Sequence, residues 1–280
     1  MAFELGTKHA LSASEVESYL AAAVDVCAAA GRVILPHFRR PISVENKADG
    51  GGYDPVTVAD KEAEATIRAE LRNRFPSHGF FGEEHGHERG DGLTWVIDPI
   101  DGTRAFMTGM LHWGVLLALF DGAEPVLGVM HQPFTEEFFC GAAGKAEYRR
   151  HGERRSLRVR PCTNLSDALL ASTGPQYLAS GFERERFDAL RAQVRMTRFG
   201  GDCYLYCLVA MGLLDLVVEA GLKPYDVQAL IPIVRGAGGV ITAWDGGDPT
   251  MGGRVIAAGD ARVHGAALRV LAADQRPESP

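Results

Sequence analysis

With 280 residues, the chain is long enough for two compact units or for one large layered domain. Hydrophobic residues make up 46% and charged residues 23% of it, a balance that argues against a disordered or fibrous protein. The net charge of −7 argues against a nucleic-acid partner, because proteins that bind nucleic acids usually present basic surfaces.

Targeting and redox signals also constrain the class of protein. Residues 1–17 contain an early glutamate and no apolar stretch of signal-peptide length, so we expect a cytoplasmic protein. The longest apolar runs, such as 115–120, are far shorter than the roughly 20 residues of a membrane helix, so we expect no membrane span. The cysteines form an odd set without a CxxC motif, which favours reduced core residues over disulfides or a zinc site. They are Cys27, Cys140, Cys162, Cys203 and Cys207.

The first elements are helices on either side of a glycine-rich stretch. Overlapping capping boxes, Ser12 with Glu15 and Ser14 with Glu17, predict the start of a packing helix. Residues 47–60 contain three consecutive glycines, and we interpret this stretch as a mobile lid with a short extended piece. Asp60 is predicted to cap a second helix, which ends before a proline. A plain capping role is sufficient to explain this aspartate locally.

Two acids follow the second helix on a turn. A brief strand containing Phe80 and Phe81 leads into Glu83 and Glu84, which glycines flank. Both acids could be solvated turn residues if no other acidic group lies nearby.

The most informative stretch is WVIDPIDGTRAF, residues 95–106. Its apolar start predicts a buried strand, and Pro99 and Gly102 should break regular structure, so that Asp98 and Asp101 project from the strand end and the following turn. Two close carboxylates repel each other unless a cation neutralises them, and Mg²⁺ prefers carboxylate, carbonyl and water oxygens. A simple turn with solvated aspartates is the alternative.

A short helix should open directly after the second aspartate. The sequence Gly102-Thr103-Arg104 begins it, and the free amides and positive dipole at a helix N-terminus suit a phosphate group. We therefore interpret the stretch as a combined metal and phosphate site.

The sequence pattern in the middle of the chain predicts an antiparallel sheet. Residues 114–120 and 126–132 flank an Asp-Gly turn, which predicts a hairpin, and further strands are expected around 137–140, 146–150 and 156–160. Arginines on the last of these strands fit a solvated sheet face better than an anion site.

The second half alternates strands and helices, which indicates α/β layering. Gly201-Asp202 should open one helix, and a strand over 214–218 should lead into Glu219. Asp226 then lies at the start of a helix over 227–235, where a capping role alone would also explain it. Asp260 is predicted to cap a last helix, and the tail from Asp274 to fray.

These acidic turns, in this order, resemble the inositol monophosphatase superfamily of Mg²⁺-dependent phosphatases. The resemblance rests on GEE, then WVIDPIDGT, then PYD at the start of a late helix followed by GAGG, and it covers nearly the whole chain. It implies an α/β (α+β) fold, a layered α-β-α-β-α sandwich. Residues 1–160 would form an N-terminal antiparallel-sheet half with most metal ligands, and residues 161–280 a C-terminal α/β half that completes the site. A homodimer is expected from the family.

The resemblance also implies a set of metal ligands. Glu83, Asp98 and the carbonyl of Ile100 would hold one Mg²⁺, and Asp98, Asp101 and Asp226 a second, with Asp98 bridging. A third, weaker ion at Glu83 is possible within the family, so that two or three Mg²⁺ are expected. Four carboxylates supply −4 and the ions +4 to +6, which leaves the site neutral or positive toward a phosphate dianion.

By the same resemblance, Thr103 and Asp60 would pair and, together with Glu83, help to activate the attacking water. The amides of Gly102 and Thr103 would bind the phosphate of a small-molecule monoester. A haloacid-dehalogenase-type phosphatase is a poorer match, because its two acids are two positions apart whereas Asp98 and Asp101 are three apart. A silent metal- or phosphate-binding regulator is the non-enzyme alternative.

The expected substrate depends on residues outside the metal motif. Arg104 stands where inositol phosphatases commonly carry a smaller residue, and LKPYD replaces their usual His-Cys-Trp-Asp. With GGDCY at 200–204, these features resemble the histidinol-phosphate phosphatase branch. Asp202 and Glu219 could offer carboxylates to the amine and imidazole of histidinol phosphate, although Asp202 could equally cap its helix. Inositol monophosphate is the second candidate substrate, and other sugar or nucleotide phosphates follow.

Overall fold

Two large β-sheets, with helices between them and on their outer faces, form the fold of the described residues, together with a separate two-stranded sheet. The structure is a computed structural model that describes residues 8–47, 55–179 and 181–272. The α-helices are α1 (Ala13–Ile34), α2 (Val58–Arg74), α3 (Thr103–Met107), α4 (Phe182–Arg191), α5 (Tyr204–Ala210), α6 (Pro224–Val227), α7 (Leu230–Gly236) and α8 (Ala261–Leu271). The strands are β1 (Val44–Asn46), β2 (Pro55–Thr57), β3 (Gly79–Gly82), β4 (Gly86–Glu88), β5 (Thr94–Asp101), β6 (Gly114–Phe120), β7 (Pro125–Gln132), β8 (Glu137–Ala142), β9 (Lys145–Arg150), β10 (Glu153–Ser156), β11 (Leu169–Ser172), β12 (Met196–Phe199), β13 (Leu216–Leu222), β14 (Val240–Ala243) and β15 (Gly253–Ala258).

The larger sheet has the strand order β10-β9-β8-β7-β6-β5-β3-β4. Its pairings are antiparallel, as expected, except for the parallel pair of β3 and β5. That pair brings the Glu83-Glu84 turn beside the aspartates of β5. The smaller sheet is mixed, with the order β12-β11-β13-β15-β14.

Both faces of the larger sheet are buried, which explains the continuous apolar runs of its central strands. Trp95 and Ile97 of β5 point into a core shared with α1 and α2. Val96, between them, points to the opposite face, where α5 and α7 pack. Strand periodicity therefore separates two cores across one sheet.

Helices α5 and α7 fill the layer between the two sheets, because their core also contains Val217, Val255 and Ala257 of the smaller sheet. The outer face of the smaller sheet is covered by α4 and α8, which pack Phe187 and Val263 into a third core. This order of layers confirms the predicted α-β-α-β-α sandwich. The division into halves at residue 160 stays a prediction.

Helix α7 approaches the larger sheet closely at two glycines of the sheet and at its own Gly236, where a Cβ atom would lie 2.4 Å from the carbonyl oxygen of Lys145. A Cβ atom at Gly128 of β7 would lie 2.0 Å from the carbonyl oxygen of Ala229, and one at Gly141 of β8 would lie 2.3 Å from the amide nitrogen of Ile233. Real Cβ atoms do not approach that closely, so helix and strand backbones are in direct contact here.

One helical segment, Ala13–His37, is long and apolar enough to cross a membrane by length and composition. In this fold its apolar face, including Ala23, Val26 and Cys27, packs against the larger sheet and α2. The apolar character of the segment is thus accounted for by the first core. The expected cytoplasmic location stays a prediction.

Several predicted boundaries were wrong for identifiable reasons. Strand β5 continues through Pro99 to Asp101, because a register shift against β6 absorbs the proline. The strand predicted over 156–160 ends at Ser156. The doubled capping box reduces to Ser12 with Glu15, since Ser14 lies inside α1. Residues 48–54 of the predicted lid and the tail from residue 273 lie outside the described residues.

Candidate functional site

The end of β5 carries the centre of the site. The register shift between Asp98 and Asp101 interrupts the pairing with β6 and turns both carboxylates toward the same space. The amide of Ile100 donates to Asp98 Oδ1 at 3.1 Å, and the amide of Cys203 donates to Asp101 Oδ2 at 2.6 Å. The second bond ties α5, from the middle layer, to the motif.

Asp226 joins these aspartates from the other half of the chain. One carboxylate oxygen from each of Asp98, Asp101 and Asp226 lies within 4.8 Å of the other two. Asp226 is the third residue of α6, and its Oδ2 accepts a hydrogen bond from the amide of Lys223 at 2.6 Å. The aspartate therefore both caps its helix and contributes to the acidic cluster.

Glu83 approaches the cluster from the turn after β3. Lys47 donates to Glu83 Oε1 at 2.7 Å and to Glu84 Oε1 at 2.8 Å, so an ammonium group lies beside the site. Burial opposes the charge of this lysine, but the two carboxylates outweigh burial and raise its pKa. Sequence analysis placed Lys47 at the start of the glycine-rich stretch but did not predict this contact.

The acidic cluster carries more negative charge than its surroundings can offset. Burial raises the pKa of Asp101 to about 8, with a further contribution from Asp226. Burial likewise raises the pKa of Asp226 to about 7 and that of Glu83 to about 7. The pKa of Asp98 lies well above its ordinary value, first through burial and then through Glu83 and its two aspartate neighbours. Such a group of oxygens fits a hard divalent cation, which would neutralise it.

Asp60 and Thr103 lie together behind the cluster, as the resemblance implied. Thr103 Oγ1 is 3.4 Å from Asp60 Oδ1 and 3.1 Å from the carbonyl oxygen of Ile100. Asp60 is fully buried, and burial raises its pKa to about 6. The predicted cap is wrong by three residues, because Thr57 is the N-cap of α2 and Asp60 completes the capping box.

Gly102 permits the turn from β5 into α3. Its φ of 86° is in the left-handed region that favours glycine. A Cβ atom there would lie 2.5 Å from the carbonyl oxygen of His112 and 3.2 Å from Cβ of Asp202. This backbone directs the start of α3 toward the cleft.

A cleft of about 300 Å³ contains the acidic cluster. Its lining includes the predicted residues Glu83, Asp98, Ile100, Asp101, Gly102, Thr103, Arg104, Asp202, Glu219 and Asp226. Asp60 reaches it through Thr103. The structure thus brings together the whole set of predicted site residues from both halves of the chain.

The two carboxylates predicted to bind substrate, Asp202 and Glu219, differ in their hydrogen-bond donors and in their position on the fold. Thr173 donates to Glu219 Oε1 through its amide and its hydroxyl, and the Tyr206 hydroxyl donates to Oε2 at 3.0 Å. Glu219 lies on β13, not after it, and burial raises its pKa. Asp202 has a φ of 45° and precedes the Cys203 N-cap of α5, so it lies outside the helix it was expected to open. Burial, then Asp101 and Glu219, raise its pKa to about 8.

Arg104 contacts an aromatic side chain on the opposite wall of the cleft. Its Nη1 donates to the Tyr177 hydroxyl at 2.6 Å, and its guanidinium lies 5.0 Å from the ring centroid. Sequence reasoning missed Tyr177, Thr173 and Tyr206, since nothing in their local sequence separates them from ordinary loop and core residues.

Comparisons with known proteins agree with this geometry. Residues 15–277 match the family model described as the inositol monophosphatase family. The chain is 37% identical over 273 residues to the bifunctional phosphatase IMPL2, chloroplastic, of Arabidopsis thaliana, covering 93% of this chain and 77% of that protein. It is 36% identical over 219 residues to a histidinol-phosphatase of Chlorobaculum parvum, covering 78% and 82%.

A solved structure of an inositol monophosphatase from Zymomonas mobilis is also similar. It superposes with a TM-score of 0.81 at 40% identity, covering 94% of this chain and 100% of the other. The chain therefore belongs to the inositol monophosphatase family, a family of phosphatases that hydrolyse phosphate monoesters.

Proposed function

We propose that the protein is a Mg²⁺-dependent histidinol-phosphate phosphatase, which converts L-histidinol phosphate and water to L-histidinol and phosphate in histidine synthesis. The observation that carries the proposal is Asp202, a half-buried carboxylate in the same cleft as the acidic cluster. Asp202 meets repulsion from Asp101 and Glu219, which Arg104 offsets in part. A cationic amine on the substrate would relieve this repulsion further, and charge-assisted hydrogen bonds of this kind are strong. The histidinol-phosphatase relative supports the same assignment.

The residues fit the metal that this reaction needs. Glu83, Asp98, Asp101, Asp226 and the carbonyl of Ile100 would hold Mg²⁺, since they offer hard oxygen donors whose charge is otherwise unbalanced. Mg²⁺ bound there would lower the pKa of the attacking water and would neutralise negative charge on the phosphate and on the leaving oxygen.

Asp60 and Thr103 would orient the attacking water. With Asp60 ionised, the Thr103 hydroxyl donates to it, which leaves the threonine oxygen free to accept a hydrogen bond from water. The amides of Gly102 and Thr103 would donate to a phosphate oxygen. The attacking water gives up one proton to solvent as its oxygen bonds to phosphorus and the ester P–O bond breaks. The leaving alkoxide takes up one proton from solvent, so the products are the alcohol and hydrogen phosphate.

Glu219 would have a different role from Asp202. Because Thr173 and Tyr206 already donate to its carboxylate, we assign it to holding β13 and α5 in place along the cleft wall. Inositol monophosphate is the second candidate substrate, which the Zymomonas mobilis relative supports. A cytoplasmic homodimer completes the proposal.

The deciding experiment compares kcat/KM on L-histidinol phosphate and on myo-inositol 1-phosphate with saturating Mg²⁺. We expect histidinol phosphate to be preferred, and the Asp202→Asn variant to lose at least tenfold on histidinol phosphate while changing little on inositol phosphate. A tenfold preference of the parent enzyme for inositol phosphate would overturn the substrate assignment and leave the phosphatase assignment intact. Absence of Mg²⁺-dependent hydrolysis on a panel of phosphate monoesters would overturn both.

A further inference from the structure

A buried carboxylate lies directly beneath the turn that carries Glu83. Glu64 of α2 is fully buried. Its Oε2 accepts a hydrogen bond from the amide of Glu84 at 2.7 Å, and its Oε1 accepts one from the amide of His85 at 3.2 Å. One side chain thus binds two successive backbone amides next to Glu83.

Arg68, one helical turn later, completes the arrangement. Its Nε donates to Glu64 Oε1 at 2.8 Å, and its Nη2 donates to the carbonyl oxygen of Gly86 at 2.6 Å. The guanidinium therefore neutralises the buried glutamate and binds the far end of the same turn. The pair fixes the backbone of residues 84–86 from below.

A glycine at the end of β3 leaves room for the Glu64 carboxylate. A Cβ atom at Gly82 would lie 2.0 Å from Glu64 Oε1, so glycine lets the strand end pass directly over the carboxylate. The same helix presents Asp60 to Thr103 one turn before Glu64. A single rigid helix therefore locates both the Asp60–Thr103 pair and the Glu83 turn.

The turn needs such a support because charge opposes its position. The carboxylate of Glu83 lines the same cleft as those of Asp98 and Asp226, and like charges at close range repel each other. Such repulsion favours movement of the turn away from the aspartates, and Lys47 offsets part of it through its bond to Glu83. Four hydrogen bonds from the Glu64–Arg68 pair, made to each other and to the turn, oppose that movement.

We propose that Glu64, together with Arg68, is a positioning residue that holds the Glu83 turn in the geometry that binds Mg²⁺. The inference rests on the proposed function, since it concerns the metal of that same site. Groups that orient metal ligands typically contribute about 10- to 100-fold to metal affinity. Glu64 acts on binding of the ion and touches neither substrate nor the reacting atoms.

The test is Mg²⁺ binding to Glu64→Gln, measured by calorimetry and by the Mg²⁺ dependence of hydrolysis. Glutamine keeps the shape but turns one acceptor into an NH₂ group, which faces an amide N–H or Arg68 and cannot accept. We expect Mg²⁺ affinity to fall about 10- to 100-fold, with kcat at saturating Mg²⁺ within about threefold of the parent. Glu70→Gln, an exposed carboxylate on the same helix, is the matched control and should change neither value.

Circular dichroism must first show that Glu64→Gln is folded. If it is not, Arg68→Lys takes its place, because lysine keeps the positive charge and gives up the bond to the Gly86 carbonyl. A folded variant that binds Mg²⁺ within twofold of the parent overturns the positioning role. A parent enzyme that binds no Mg²⁺ instead overturns the proposed function, so the two failures are distinguishable.

Discussion

Replacement of Asp101 by asparagine should change activity and stability in opposite directions. Asparagine can still accept the hydrogen bond from the Cys203 amide, so the local fold should persist. The variant loses one charge from the metal-binding cluster, and we expect kcat/KM to fall about 1,000-fold or more, equivalent to about 4 kcal/mol of barrier.

The stability of the metal-free protein should rise at the same time. The pKa of Asp101 is raised to about 8, so between its ordinary pKa and pH 8 the carboxyl is ionised in the unfolded state and protonated in the folded state. The folded state therefore loses stability as the pH rises toward 8. One pKa unit corresponds to about 1.4 kcal/mol. Because the repulsion is shared with Asp226, we expect a gain of roughly 2–3 kcal/mol at pH 8, seen as a rise in Tm of about 4–6 °C in EDTA.

The assays are phosphate release with Mg²⁺ and thermal unfolding with EDTA or Mg²⁺. Asp188→Asn, which removes an exposed carboxylate from α4, is the matched control and should leave both unchanged. Activity of Asp101→Asn within a few-fold of the parent, about 1 kcal/mol of barrier, would falsify the assignment of Asp101 as a ligand. An unchanged Tm in EDTA would show that the cluster is not strained by its charge.

Three further outcomes are expected. Thr103→Val should lower kcat about 100-fold or more while leaving Mg²⁺ affinity by calorimetry near the parent value; a parallel loss of both would place Thr103 among the ligands instead. Gly102→Ala should lower the free energy of unfolding by about 1–3 kcal/mol in urea titrations, because φ is 86° and the new methyl meets the His112 carbonyl; unchanged stability would contradict the backbone argument. In EDTA, Tm should fall from pH 5 to pH 8. The pKa values of Glu83 and Asp226 are both raised to about 7, so over this interval the folded state still binds protons that the unfolded state has already lost, and its stability decreases as the pH rises. A Tm that rises over this interval would be inconsistent with these pKa values.

Local patterns in the sequence were sufficient to identify the candidate site residues but not all the boundaries of the strands around them. The apolar run before Asp98, the Asp-Gly turn after β6 and the Ser12–Glu15 capping box each reflect short-range physics, and each formed where expected. The boundary at Pro99 was wrong because register against β6, a long-range property, allows the strand to continue. Strand β12 (Met196–Phe199) was missed because its largely exposed side chains lack an apolar pattern and its position depends on the parallel partner β11.

The hydrogen-bond and ion-pair partners of the predicted acidic residues could not be predicted from local sequence either. Asp202 lines the cleft, and its role as a substrate contact stays a prediction. It was expected to open α5, whereas a left-handed backbone places it before that helix. Glu219 has donors on the loop after β11 and on α5, and Lys47 reaches Glu83 from a segment 36 positions earlier in the sequence. Such contacts depend on the packing of layers, which a single sequence does not display.

The contact of α7 with the larger sheet has a consequence for how this enzyme can vary. At Gly128 and Gly141 the gap between layers is set by backbone atoms, which have one size, and not by side chains, whose volumes drift during evolution. Asp226 precedes this helix by only a few residues. Substitutions of core side chains can therefore alter the core volume while these backbone contacts keep α7, and α6 just before it, at the same distance from the larger sheet.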